Sequence, residues 1–197
     1  MNRTTILSPT VASLAIIRDN PSAPPGAAIR HVAVFVANIT SCGKHQFRIE
    51  TQAFAGSEDG RDVTDWLASV IAPGTDIALR PASSMRDPSP ASDLEGPSPW
   101  WPIADMAWLR QRFGEEPRIY TLNLSNSDIR ETAEGMGLPY AMPGDPWQVR
   151  AAHGASEAQA IWCHLQAHAY SNDEIAYRID AWKAWISARQ SQRQRLA

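Results

Sequence analysis

Tyr170 and Glu174 are the residues whose types and spacing first suggest chemistry. They stand four apart, which on a helix puts them on one face, a turn from each other. A phenol beside a carboxylate can hold and orient a water activated by a metal ion. The same spacing also describes a solvated helix surface, so the pair needs further acids to become a site. Glu50, Asp87 and Asp173 are the acids to consider with Glu174. As alternatives, Glu50 reads as part of a solvated strand face and Asp87 as a loop charge.

The elements that must position these groups follow from the hydrophobic pattern. His168 to Ile186 reads as one long amphipathic helix, with Ile175, Ile179, Trp182 and Ile186 along one stripe. His31 to Ile39 is the clearest strand, nearly all apolar and rich in β-branched residues, as in a strand covered on both faces. After a turn at Ser41–Lys44, Gln46 to Phe54 alternates. Phe47, Ile49, Thr51 and Ala53 fall on one side, and Gln46, Arg48, Glu50 and Gln52 on the other. That predicts a half-exposed strand hairpinned onto the previous one.

A helix is expected over Arg61–Ile71, ended by Pro73-Gly74, and a short strand over Thr75–Leu79. Residues 81–102 hold six prolines and read as an irregular surface loop ending in Trp100-Trp101, two rings suited to anchoring it. Helices follow at Ala104–Phe113, at Asp128–Met136 with its cap in Leu124–Asp128, and at Glu157–His168 with Ser156 as its cap. Trp147–His153 is short and has no clear assignment. The first twenty residues read as a short strand at Leu14–Ile17 or a loose arm. The expected organisation is an arm and loop at 1–30, one α/β domain at 31–188 and a frayed basic tail at 189–197.

The bulk composition narrows the classes. A chain of 197 residues, 44% hydrophobic and 20% charged, is globular and long enough for a core of its own. A net charge of −3 supplies no global basic field for nucleic acid, although a metal-dependent nuclease has an acidic site in any case. Two cysteines, Cys42 and Cys163, make neither a disulfide framework nor a zinc site, which suggests a reducing, cytoplasmic setting. No apolar run approaches membrane-spanning length, so no membrane partner is expected. There is no glycine-rich phosphate loop and no Gly-x-Ser-x-Gly elbow. His164 and His168 stand four apart without a third ligand nearby in sequence and read as solvated.

The C-terminal half resembles a known family. Asp105-Met106-Ala107-Trp108-Leu109 is similar to the Asp-Leu-x-x-Leu stretch that starts a helix in a family of bacterial 3′–5′ exonucleases. That family is related to the proofreading domain of family B DNA polymerases. Leu124-Ser125-Asn126-Ser127-Asp128-Ile129 through Gly137-Leu138-Pro139 resembles its Leu-Ser-Leu-Asp-Glu-Leu … Leu-Gly-Ile-Pro. Gly144-Asp145-Pro146-Trp147-Gln148-Val149 resembles its Gly-Ile-Asp-Gly-Ser-Gln-Val. Tyr170-Ser171-Asn172-Asp173-Glu174-Ile175 falls where the family has Tyr-Cys-Glu-x-Asp-Val, the third motif of tyrosine-type DEDD exonucleases. The resemblance implies a ribonuclease-H-like mixed sheet flanked by helices. It also implies a site that, if active, uses Mg²⁺ or Mn²⁺.

The acidic motifs depart from that family. Its first strand carries Phe-Asp-Ile-Glu-Thr, whereas the strand Phe35-Val36-Ala37-Asn38-Ile39-Thr40 puts Val36 and Asn38 at the two acids. Its second motif would follow Ile77–Leu79, where Asp87 is the one acid, displaced among prolines. Glu174 stands for the last aspartate. The chemistry needs two divalent ions about 4 Å apart held by carboxylates, and valine offers no ligand. His153-Gly154-Ala155-Ser156-Glu157 also resembles the His-x-x-x-x-Asp motif of the histidine-type enzymes, one residue short, and reads as a surface or capping segment.

Three functions remain open. One is a catalytically impaired exonuclease-like domain that binds single-stranded nucleic acid or a protein partner. The second is an active exonuclease with relocated carboxylates, with Tyr170 and Glu174 catalytic and Glu174, Asp87 and Glu50 on the metal. The third is an unrelated α/β protein-interaction domain. For nucleic acid, Trp100, Trp101 and Trp147 are the stacking candidates and Arg48 and Arg80 the phosphate contacts.

Overall fold

Nine residues that the sequence leaves between a strand and an arm form the middle of the sheet. In the computed structural model, which describes residues 8–18, 29–57, 61–80, 119–142 and 144–196, strand β1 runs Thr10–Arg18. Strand β2 (Ile29–Ile39) pairs antiparallel with β1, and β3 (His45–Ser57) pairs antiparallel with β2. Helix α1 (Arg61–Val70) then leads to β4 (Asp76–Leu79), which pairs parallel with β1. Strand β5 (Ile119–Thr121) is parallel to β4, so the sheet order is β3-β2-β1-β4-β5. Helices α2 (Asn126–Gly135), α3 (Trp147–Ala169) and α4 (Asn172–Leu196) complete the chain. The architecture is α/β, a mixed five-stranded sheet flanked by helices.

Alternation in the strands decides which helix covers which face. Ala12 and Leu14 of β1, Val32, Val34 and Val36 of β2, and Ile77 and Leu79 of β4 meet Val63, Leu67 and Ile71 of the α1 segment. The opposite positions, Val11, Ala15, Ala33, Phe35, Ala37 and Ala78, meet Ala158, Ile161, Trp162 and Leu165 of α3 and Trp182 of α4. Because β1 is buried on both faces, it carries no polar alternation, and its Ala12, Ser13 and Ala15 lack the β-branched run that marks β2. At Gly154 a Cβ would lie 3.3 Å from the Ala33 Cβ, so a missing side chain lets α3 lie close on β2.

Several sequence expectations are corrected here. The arm expected at 1–30 contains the central strand β1. Ser156 caps nothing: α3 is continuous from Trp147, and Ser156 is buried in its middle. His168 to Ile186 is two helices, because Tyr170 leaves α3 in an extended conformation (φ −126, ψ 161). The stripe holds within α4, with Trp182 1% exposed and Ile179 and Ile186 half-buried. The expected basic tail at 189–197 is helical as far as Leu196, in keeping with its Arg and Gln content. The proline-rich loop 81–102 and the helix expected at 104–113 lie outside the described residues. Among the described residues no helix is long and apolar enough to cross a membrane.

The cap expected before α2 is present in full. The Ser125 backbone N–H donates to Asp128 Oδ2 (2.7 Å), and the Asp128 N–H donates to Ser125 Oγ (3.1 Å).

Candidate functional site

The chain reverses its direction of travel across the sheet between β1 and β4. From β1 it moves to β2 on one side, and from β4 to β5 on the other, while β1 and β4 are parallel. In open α/β sheets the carboxyl ends of strands at such a switch are where side chains from several elements converge. Arg80 directly follows β4 and continues the alternation of Ala78, so it projects to the α3 face. Its side chain is 3% exposed.

Three elements meet at that guanidinium. Arg80 Nη2 donates to Glu157 Oε1 of α3 at 2.7 Å, and Nη1 donates to Asn126 Oδ1, at the start of α2, at 2.9 Å. Arg80 Nε is buried with no hydrogen-bond partner among the described residues. Beside them, burial raises the Tyr140 phenol above its ordinary value, and the Glu157 charge raises it further. On the neighbouring strand, the Ser13 hydroxyl donates to the Ala158 carbonyl at 2.6 Å, next to Glu157. The result is a buried, charge-balanced centre: one cation, one anion and neutral polar groups.

The expected catalytic pair is not assembled this way. Tyr170 caps the end of α3, and Arg178 lies over its ring at 3.7 Å. Glu174 is fully exposed in the first turn of α4 and accepts from the Ser171 hydroxyl (2.8 Å) and the Ser171 backbone N–H (3.1 Å). Those two bonds hold its carboxyl below the usual range, the hydroxyl contributing most. Serine followed three residues later by glutamate is a capping box, which accounts for Glu174 without a ligand. The helical relation of Tyr170 to Glu174, one face of one helix, is therefore lost at the break between α3 and α4.

The sheet itself separates the remaining candidates. Glu50 alternates with Phe47 and Ile49 and so faces α1, where Arg48 lies 3.7 Å away. Tyr170 packs with the cluster on the α3 face. Val36, in the α1-side core, and Asn38 point the same way as Glu50, and Asn38 accepts from the Thr10 hydroxyl at 2.9 Å. Their strand is also the second, not the first. The first strand, β1, has no acid at any position from Thr10 to Arg18. Asp87, Trp100 and Trp101 lie outside the described residues. Among the described residues no three His, Cys, Asp or Glu side chains are grouped to hold a metal ion.

No protein-family model and no curated protein matches this chain. The nucleic-acid candidates are likewise dispersed. Arg48 Nη2 donates to the Val70 carbonyl and so caps the end of α1. Arg80 is consumed by Glu157 and Asn126. Trp147 opens α3, half-buried, with the Arg30 guanidinium 5.9 Å from its ring centre. These three side chains do not share a surface.

Sequence reasoning missed Glu157, Asn126 and Tyr140. Glu157 reads as a surface or capping residue when α3 is started at Ser156. A signal was available in its flanks, Gly154-Ala155-Ser156 and Ala158, small residues that suit a helix packed tightly on a sheet.

His31 of β2 lies under the same stretch of α3. Its Cδ2 is 3.5 Å from where a Gly154 Cβ would stand, and its Nε2 is buried without a hydrogen-bond partner among the described residues. Burial lowers its pKa below the ordinary 6.5. The unfolded chain therefore binds this proton more tightly than the folded one. The neutral ring's contribution is full above about pH 6.5 and is lost as pH falls towards the folded value. His45, lowered by its own burial and by Arg178, acts in the same sense. We expect the melting temperature to drop between roughly pH 7.5 and 5.5, and to drop less steeply in His31→Gln. Parallel slopes for the two proteins would exclude His31 as a source.

Proposed function

We propose that this domain keeps a ribonuclease-H-like frame without metal-dependent exonuclease chemistry, and that it works by binding, with a protein as its partner. The observation that carries this is the Arg80–Glu157 ion pair at the carboxyl end of β4. A two-metal site gathers several carboxylates around two cations about 4 Å apart, and Mg²⁺ takes charged oxygen ligands in near-octahedral order. Here the carboxylate at that position is already neutralised by a buried guanidinium 2.7 Å away. Glu174 is occupied as a helix cap, and Glu50 lies across the sheet. The described residues do not fit the pair of metals that the family resemblance implies.

A protein partner is favoured over nucleic acid by the use of the basic side chains. Affinity for single strands rests on cations that neutralise phosphates and release counterions. Arg80 is buried against internal acceptors, Arg48 stands beside the carboxylate of Glu50, and the net charge is −3.

A 5′-labelled single-stranded oligonucleotide incubated with the protein and Mg²⁺ or Mn²⁺ should stay intact. It should also show no salt-sensitive binding at low ionic strength. Laddering from the 3′ end that disappears in Glu174→Ala or Asp87→Ala would overturn the proposal in favour of an active exonuclease with relocated carboxylates. Tight, salt-sensitive binding without cleavage would replace the protein partner by a nucleic acid.

A further inference from the structure

Strand β3 is thirteen residues long and lies at the border of the sheet, paired on one side with β2. Among the described residues no strand pairs with its other side. Long exposed edges are templates for another strand, so the groups this edge presents decide what can dock there.

The backbone hydrogen bonds fix which residues of β3 face outwards. The Ile39 N–H donates to the Pro9 carbonyl, so odd-numbered residues of this part of β2 bond towards β1. Even-numbered residues of β2 therefore bond towards β3, through the opposed pairs Asn38 with Gln46, Val36 with Arg48 and Val34 with Glu50. That leaves the N–H and C=O groups of His45, Phe47, Ile49, Thr51 and Ala53 pointing away from the sheet. Along the same strand, the side chains of Arg48 and Glu50 stand on the α1 face.

We infer that β3 is a self-association edge, which pairs antiparallel with β3 of a second copy of this chain across a two-fold axis at Ile49. Only odd-numbered residues can bond outwards, so neighbouring registers differ by one residue at the axis. With the axis at Arg48, Arg48 faces its own copy. With the axis at Glu50, Glu50 faces its own copy. With the axis at Ile49, Arg48 stands opposite the partner's Glu50 and Glu50 opposite the partner's Arg48. Gln46 and Gln52 then pair as two amides. These positions are the non-hydrogen-bonded pairs, where side chains approach most closely. The charges thus make the edge complementary to itself in one register and repulsive in both adjacent ones.

The neighbouring surface is continuous with this edge. Tyr177 of α4, 64% exposed, packs its ring against His45 at the start of β3, 5.2 Å between centroids. Opposite His45 in the inferred register stands the exposed Ala53 of the partner. A two-fold contact of this kind is isologous and closed, so it stops at a dimer.

Sedimentation equilibrium of the full chain at up to about 100 μM tests the contact. The wild-type protein should reach a monomer–dimer equilibrium. Arg48→Glu and Glu50→Arg should each weaken the dimer by about tenfold to a hundredfold, since each turns two opposite-charge pairs into two like-charge pairs. The double variant Arg48→Glu/Glu50→Arg restores opposite charges and should dimerise again. So should an equimolar mixture of the two single variants, because the two carboxylates on the edge of one then face the two guanidinium groups on the edge of the other. Circular dichroism of each variant controls for the lost cap on α1. A wild-type protein that is monomeric throughout, or a dimer indifferent to both charge reversals, overturns the inference. If the single variants misfold, Thr51→Pro, which removes one outward N–H, serves instead, and an undiminished dimer in that variant is equally decisive.

Discussion

Glu157→Ala will lower the stability of the domain by about 3–5 kcal/mol, because it leaves the Arg80 guanidinium buried without its counter-charge. The side chain of Arg80 is 3% exposed and that of Glu157 12% exposed, so water cannot replace the lost carboxylate. Asn126 Oδ1 remains as one neutral acceptor, while Arg80 Nε already has no partner among the described residues. Arg80→Ala should cost a similar amount for the mirror-image reason. The informative comparison is the double variant Arg80→Met/Glu157→Leu, which removes both charges and keeps apolar volume. Replacing a buried pair in this way is often neutral or stabilising, so the double variant should be more stable than either single one. Urea titration followed by tryptophan fluorescence reads this directly, provided the m value stays constant. Additive losses in the double variant would show that the two charges do not act as a pair. The outcome bears on function too. If the ion pair is costly to keep yet the apolar variant folds well, then Arg80 and Glu157 hold a specific arrangement at the end of β4 rather than stability as such.

How much of this was visible beforehand depended on whether a residue's neighbours in space were also its neighbours in sequence. The β2–β3 hairpin was legible, because β3 shows one face to α3 and α4 and the other to α1 and solvent, and its residues alternate accordingly. The cap on α2 was legible because Ser125 and Asp128 are three apart. Strand β1 was legible only in part, as Leu14–Ile17, since Ala12, Ser13 and Ala15 lack the strand preference that Val32, Val34 and Val36 give the equally buried β2. Strand β5 was missed for a different reason, being three residues long and half-buried. The break between α3 and α4 was placed about two residues early, at His168, because Tyr170 and Ser171 interrupt a periodicity that continues on both sides of them. The centre at Arg80 was the least visible, since Arg80 is 46 positions from Asn126 and 77 from Glu157. No local pattern pairs them. Tyr170 and Glu174 drew notice through their spacing and a resemblance to exonuclease motifs. Their contacts, a cation–π stack and a capping box, are ones that any helix junction can make.

The second large effect is expected at Trp162. Trp162→Ala should remove about 3–5 kcal/mol, the usual cost of truncating a fully buried large aromatic ring. Trp162 is 1% exposed and joins its helix to two strands of the sheet. Its ring meets Phe35 of β2 edge-on at 5.3 Å and Phe47 of β3 edge-on at 5.8 Å, and Phe47 in turn lies 5.6 Å from Trp185 of α4. The edge strand is therefore held to α3 and α4 through Phe47 and Ile49, and to α1 through Phe54 and Arg48. Removing Trp162 opens a cavity beneath Phe47, and neighbouring rings that already pack on one another can close it only in part. At about 2–4 °C per kcal/mol for a chain of this size, the melting temperature should fall by roughly 6–20 °C. Trp147→Ala provides the contrast. That ring is half-buried at the start of α3 and is met by Arg30 at a distance, so its loss should stay near about 1 kcal/mol or below. Because the Trp162 cavity lies under β3, hydrogen exchange at β3 amides should accelerate more than at β1, whose two neighbours remain in place. Equal acceleration in both strands would mean that the domain opens only as a whole, with the aromatic cluster stabilising every strand alike rather than fastening the edge.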